Sequence, residues 1–253
     1  MNAFDQFVAN FGGLLMLILF GVLVGAFSIM FRTGRRRPRF RAIPAFRLLR
    51  GQMGRAIESG RDLHVSIGTG GVSGDDTATT LAGLAVAEYL ADEAAASGIA
   101  PIVSTSDPTS AILAEDAVRR PYVRQGNLSD FPRGAARLPA LNPTQYAAAT
   151  MDLLNHEPVL TNIMSGAFGA EAALIDQAAN NNELPQLFGG SDPRALAVMS
   201  TSTEHILLGE EMYAAKAYLR AQLPHLASLR AADVVRIVIA VLIAIVFIMG
   251  LFT

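Results

Sequence analysis

The residues whose types and spacing suit chemistry sit at the ends of short apolar runs. Gly68-Thr69-Gly70-Gly71-Val72-Ser73-Gly74 is the densest such ending, and Asp75 follows it at a helix start. Backbone amides in a glycine-rich turn at a helix N-terminus can cradle a phosphate. Related endings are Ser104-Thr105-Ser106-Asp107, Ser165-Gly166-Ala167-Phe168-Gly169-Ala170-Glu171, Gly189-Gly190-Ser191-Asp192 and Ser200-Thr201-Ser202-Thr203-Glu204-His205. On one sheet edge they form a polar crevice of amides, hydroxyls and carboxylates. Its candidate ligand-binding residues are Gly68, Gly70, Gly71, Gly74, Asp107, Gly166, Glu171 and Asp192. Each ending also has a purely structural explanation. Ser, Thr and Asp cap helices for about 1 kcal/mol each, and glycine fits tight strand-to-helix turns.

The glycine turn matches neither common nucleotide motif. A dinucleotide fingerprint is G-x-G-x-x-G with an acid about 20 residues on. Here the last glycine is displaced, and Asp107 comes 33 residues after Gly74 (107 − 74). A P-loop needs G-K-[ST], and the only lysine is Lys216. Asp75 and Asp76 would also repel a phosphate. Gly70-Gly71 followed by Ser106 or Ser110 resembles the layout of the Clp-protease and signal-peptide-peptidase fold. Asp107-Pro108 departs from that family's small-residue surroundings, and a Ser–Lys dyad would need Lys216 on a late helix. His64, His156, His205 and His225 show no triad or zinc spacing. With no cysteine there is no disulfide framework, thiolate metal site or cysteine nucleophile. No catalytic residue, metal site or cofactor is assigned.

The elements that position these endings alternate. Residues 63–67, 99–105, 159–164, 184–188 and 195–200 read as strands. Residues 42–59, 75–97, those from 108 on, 144–154, 170–180 and 204–223 read as helices, the last with Leu208, Met212, Ala215, Leu219 and Leu223 on one stripe. Residues 133–143 read as a loop. Apolar strands separated by helices predict a three-layer, Rossmann-like α/β domain with a mostly parallel sheet.

Apolar runs flank this domain. Residues 11–31 form 21 positions without a charge, and residues 237–253 form 17 more. The first spans a bilayer comfortably and the second only just, at about 1.5 Å per residue against about 30 Å of hydrocarbon. Ten arginines fall between Arg32 and Arg61, against Glu58 alone, while Asp5 is the only charge before the first run. Basic segments next to a span stay in the cytoplasm. The expectation is a cell-membrane protein with both termini extracytoplasmic. Its segments are an N-terminus over 1–10, a span over 11–31, a basic arm and connector helix over 32–62, a cytoplasmic domain over 63–230 and a second span over 234–253. The acidic start and the basic block after the first run argue against a cleaved signal peptide. Gly21 and Gly25 form a G-x-x-x-G pair, read as self-association, as packing against the second span, or as ordinary glycines of a membrane helix.

From Leu63 onward nineteen acids face ten basic residues, so the positive charge belongs to the arm. The arm from Arg32 to Arg41 reads as a topology signal and a contact for anionic lipid headgroups, with no nucleic-acid partner. Two spans are too few to form a transport path alone.

The order of these pieces resembles an uncharacterised prokaryotic membrane-protein family known only as a domain of unknown function. The resemblance rests on residues 63–71, Gly166-Ala167-Phe168-Gly169, Gly190-Ser191-Asp192-Pro193 and residues 206–211. It implies the layout and no reaction. The expected role is a membrane-tethered binding or scaffold domain, homo-oligomeric through its spans. The alternative is a nucleotide or small-ligand sensor, or an enzyme, using the crevice.

Overall fold

The computed structural model describes residues 3–33, 41–97, 100–220 and 222–251. The chain divides into two compact units. One is Ala42–Arg220, and the other contains the two terminal helices.

The larger unit opens with helix α2 (Pro44–Ser59), numbered after helix α1 (Ala3–Arg32) of the other unit. Pro44 starts α2, where its missing N–H costs nothing. Gly60 ends it in the left-handed conformation, its N–H returning to the last turn. Strands and helices then alternate: β1 (Asp62–Gly68), α3 (Thr77–Ala94), β2 (Ile102–Thr105), α4 (Pro108–Gln125), β3 (Ala136–Arg137), α5 (Pro143–His156), β4 (Val159–Ala167), α6 (Ala172–Asn181), β5 (Gln186–Gly190), α7 (Pro193–Met199), β6 (His205–Leu208) and α8 (Ala215–Arg220). The six strands form one sheet in the order β3-β2-β1-β4-β5-β6. Every pair is parallel. This is the doubly wound order, in which the winding reverses between β1 and β4.

Helices cover both faces. Gln52 of α2 accepts from Thr161 of β4 on one side, where α3 also packs against β1 and β4. Tyr146 of α5 bonds Ser66 and Ser104 on the other. There Tyr146, Leu154, Met164, Ile175, Phe188 and Met199 form a buried cluster.

Three expected elements differ. The loop expected over 133–143 contains β3, a two-residue strand whose Ala136 and Arg137 pair with Val103 and Ser104. A strand this short carries no periodicity to read. Residues 195–200, expected as a strand, belong mostly to helix α7: Pro193 occupies its first turn and the Asp192 carboxylate caps the Arg194 amide. The helix expected over 204–223 is instead strand β6, a 3-10 turn over Gly209–Ala214 and the short helix α8. Gly209, at φ +52°, breaks the stripe that suggested one helix.

In the other unit α1 packs along α9 (Leu223–Leu251). Among the described residues one helix is long and apolar enough to cross a membrane: 28 residues, Leu223–Gly250, with an 18-residue stretch of mean hydropathy 2.7. The expected second span over 234–253 lies in this helix as far as Leu251. The expected span over 11–31 lies within α1, where the apolar segment among the described residues is Met16–Arg32. Among the described residues, added Cβ atoms at Gly21 and Gly25 would meet nothing within 4 Å. Most of the arginine arm lies outside the described residues.

Candidate functional site

The reversal between β1 and β4 creates the site. The turn after β1 climbs into α3, the turn after β4 into α6 and the turn after β5 into α7. Between them lies a cleft of about 220 Å³, lined by Thr69, Asp76, Phe168, Glu171, Ser191, Asp192 and Arg194 among others.

Tight packing behind this edge explains several of the glycines. Gly68 has φ +85°, and a Cβ there would collide with the Ala167 carbonyl oxygen. A Cβ at Gly166 would collide with the Ile67 carbonyl oxygen. At Gly70 it would lie 2.8 Å from the Asp76 Cβ and 2.9 Å from the Thr80 hydroxyl. These glycines let β1, its turn and β4 approach one another, and none of the three lines the cleft. A Cβ at Gly71 would sit 3.2 Å from the Asp107 carboxylate. Gly74 lies further out on an exposed turn, where its carbonyl accepts from the Thr77 hydroxyl at 2.7 Å.

The three candidate acids already hold backbone amides. Asp107 caps α4 by accepting from the Ser110 amide at 2.7 Å. Glu171 accepts from the Gly169 amide at 2.7 Å. Asp192 accepts from the Arg194 amide at 2.7 Å and pairs with the Arg194 guanidinium at 2.9 Å. Those Arg194 contacts hold the Asp192 carboxyl below its usual range. Of the eight candidates, the structure brings Glu171 and Asp192 into the cleft. Asp107 stands apart, beside Gly71 and Ser110. The crevice reading named neither Thr69, Asp76, Ser191 nor Arg194 as a candidate. Ser191 and Arg194 flank the Asp192 cap, so the turn that signalled a cap also signalled them.

A second polar assembly lies deep in the sheet. The His64 Nδ1 is 2.8 Å from the Asn162 Oδ1, and its Nε2 is 2.8 Å from the Ser104 Oγ. Asn162 donates its amide to Gln186 at 3.4 Å, which turns its oxygen to His64. His64 therefore donates from Nδ1 and accepts at Nε2 from Ser104. Ser104 also contacts the Tyr146 hydroxyl at 2.9 Å, and Gln186 donates to Asp176 at 3.0 Å. Burial pushes the His64 imidazole down to about 4, while burial raises Tyr146. Ser104, His64 and Asn162 have the connectivity of a nucleophile, its base and the base's orienting group, a relation the histidine spacing gives no hint of. All three side chains are fully buried, which closes them to a substrate. They hold β2, β1 and β4 in register.

Comparison with known families now adds one result. The sequence model described as "Domain of unknown function (DUF6754)" matches residues 3–253. The chain belongs to this family. No curated protein and no solved structure matches it. Membership in DUF6754 thus covers both terminal helices and the α/β domain, and it assigns no reaction to the cleft. Among the described residues no group of three or more His, Cys, Asp or Glu could hold a metal ion.

Proposed function

We propose that this protein is a membrane-tethered binding domain. The two terminal helices hold the α/β domain at the cytoplasmic face, and copies of the chain associate through those helices. The observation that carries the tether is α9, whose apolar window has none of its residues buried. The arginines between Arg32 and Arg61 set the domain on the cytoplasmic side. The Gly21–Gly25 pair of α1, open among the described residues, supports self-association. A binding role rather than a catalytic one is supported by the acids at the strand ends: Asp107, Glu171 and Asp192 each hold a backbone amide.

Alkaline carbonate extraction followed by native mass spectrometry of the full-length protein in mild detergent tests this. The expected result is a carbonate-resistant protein of one defined oligomeric mass. Complete release by carbonate would sink the tether, and a monomer alone would sink the association.

A second reading, a small-ligand sensor, is favoured by the cleft between the ends of β1, β4 and β5. It predicts an extra small-molecule mass on each subunit, lost in Glu171→Ala. Subunits of bare chain mass would count against it.

A further inference from the structure

We infer that the outer face of α2 docks on anionic lipid headgroups. This rests on the tether proposed above and adds a contact outside the arm from Arg32 to Arg41. The inner face of α2 buries Ala45, Phe46, Leu49, Met53 and Ala56. The outer face exposes Arg47, Gly51, Gly54, Arg55 and Glu58. Their spacing places them on one helical stripe. Arg50, also exposed, is committed to the Tyr218 carbonyl oxygen. The Arg47 and Arg55 side chains make no hydrogen bond or ion pair among the described residues.

Between those two arginines the surface is low. A Cβ at Gly51 or Gly54 would meet nothing within 4 Å, so no side chain stands between the helix backbone and a headgroup layer. Guanidinium groups suit phosphate oxygens because they donate two parallel N–H bonds. The stripe contrasts with the chain after it, where nineteen acids face ten basic residues. An anionic surface would attract α2 and repel much of the remainder, which orients the domain.

Chain length keeps this contact within reach. Pro44 follows Arg32 by 12 positions (44 − 32). At about 3.5 Å per residue the start of α2 stays within about 40 Å of the end of α1. A nucleic-acid duplex fits the stripe less well, because such binders neutralise about 6–10 phosphates. Two uncommitted arginines fall short of that, whereas lipid headgroups are met singly.

The chain has no cysteine, so Gly54→Cys gives a unique thiol in the stripe. Asp152→Cys, at an exposed position of α5, gives a control. Each full-length variant, labelled with an environment-sensitive fluorophore, is reconstituted into nanodiscs of phosphatidylcholine alone or mixed with phosphatidylglycerol. The Gly54→Cys label should be shielded from iodide only in the anionic discs. Salt near 1 M should reverse this, because the screening length falls to about 3 Å. Arg47→Gln and Arg55→Gln should each lower the docked-to-free ratio about five-fold. The Asp152→Cys label should respond to neither lipid. Equal quenching at Gly54→Cys in both discs, with the protein carbonate-resistant, would overturn this inference alone. Release of the protein by carbonate would overturn the tether with it. Shielding by a DNA oligomer but not by anionic lipid would also overturn it.

Discussion

Val65 of β1 is 0% exposed, whereas Phe247 of α9 is 68% exposed. Both are large apolar residues in regular structure, and their surroundings differ because their units differ. In the α/β unit Leu63, Val65 and Ile67 point into the core, and buried polar residues of the same sheet such as His64, Ser104 and Asn162 bond one another. In the helix pair Leu17, Ile237, Ile243 and Phe247 point outward. A water-facing surface covered this way would be costly, at about 25 cal/mol per Å² of apolar area. The contrast supports the proposed tether, with lipid taking the place of a core around α1 and α9.

Charge substitutions test the contrast on both sides. Val65→Asp should unfold the α/β unit, because an unpaired buried charge costs on the order of 5 kcal/mol, comparable to a whole domain's stability. Loss of the cooperative thermal transition would record it. Ile243→Arg should leave that transition alone. It should instead deplete the carbonate-resistant fraction, since an arginine at mid-span costs about 3 kcal/mol on insertion. Unchanged membrane retention would mean that α9 does not face lipid.

The buried network gives a pH dependence. His64 titrates near 4 in the folded chain, against 6.5 for an ordinary histidine. Between those values the unfolded chain binds more protons, so stability rises with pH. The stabilising contribution is complete above about 6.5 and is lost as pH falls through 4, at most about 3 kcal/mol. Denaturant titrations from pH 7 to pH 4 should show the decline, and His64→Gln should flatten it. A decline of the same size in His64→Gln would assign it elsewhere.

The smallest effects belong to the helix caps at the strand ends. Asp107→Ala and Asp192→Ala should each cost about 1 kcal/mol through a lost cap. They cap different helices, so the double variant should be close to additive. A neutral Asp192→Ala would show that neither the cap nor the pairing with Arg194 adds stability.

What the sequence makes legible follows from signal strength. Pro44 and Gly60 bracket α2, and the apolar runs of β1, β4 and β5 announce strands. The parallel sheet follows from their alternation with helices. The order β3-β2-β1-β4-β5-β6 does not, because strand pairing is a long-range choice that no local pattern records. Strand β6 is hidden because residues 205–208 precede Gly209 within a helix-like stripe. The His64 network is hidden differently. His64, Ser66, Ser104 and Asn162 lie in runs that read as continuously apolar, and only the register between strands brings them together. At the rim, Glu171 and Asp192 are legible as a site because strand ends share one edge. Gly68, Gly70 and Gly166 look like ligand contacts in the sequence, yet a Cβ at each would strike neighbouring atoms, so close packing explains them.

The tether is tested most directly by cysteine topology in intact cells. Because the chain has no cysteine, Asn2→Cys and Asp152→Cys each supply a single thiol. A membrane-impermeant maleimide should label Asn2→Cys in intact cells and Asp152→Cys only after permeabilisation. Labelling of Asp152→Cys in intact cells, or protection of Asn2→Cys, would contradict the proposed placement of the domain.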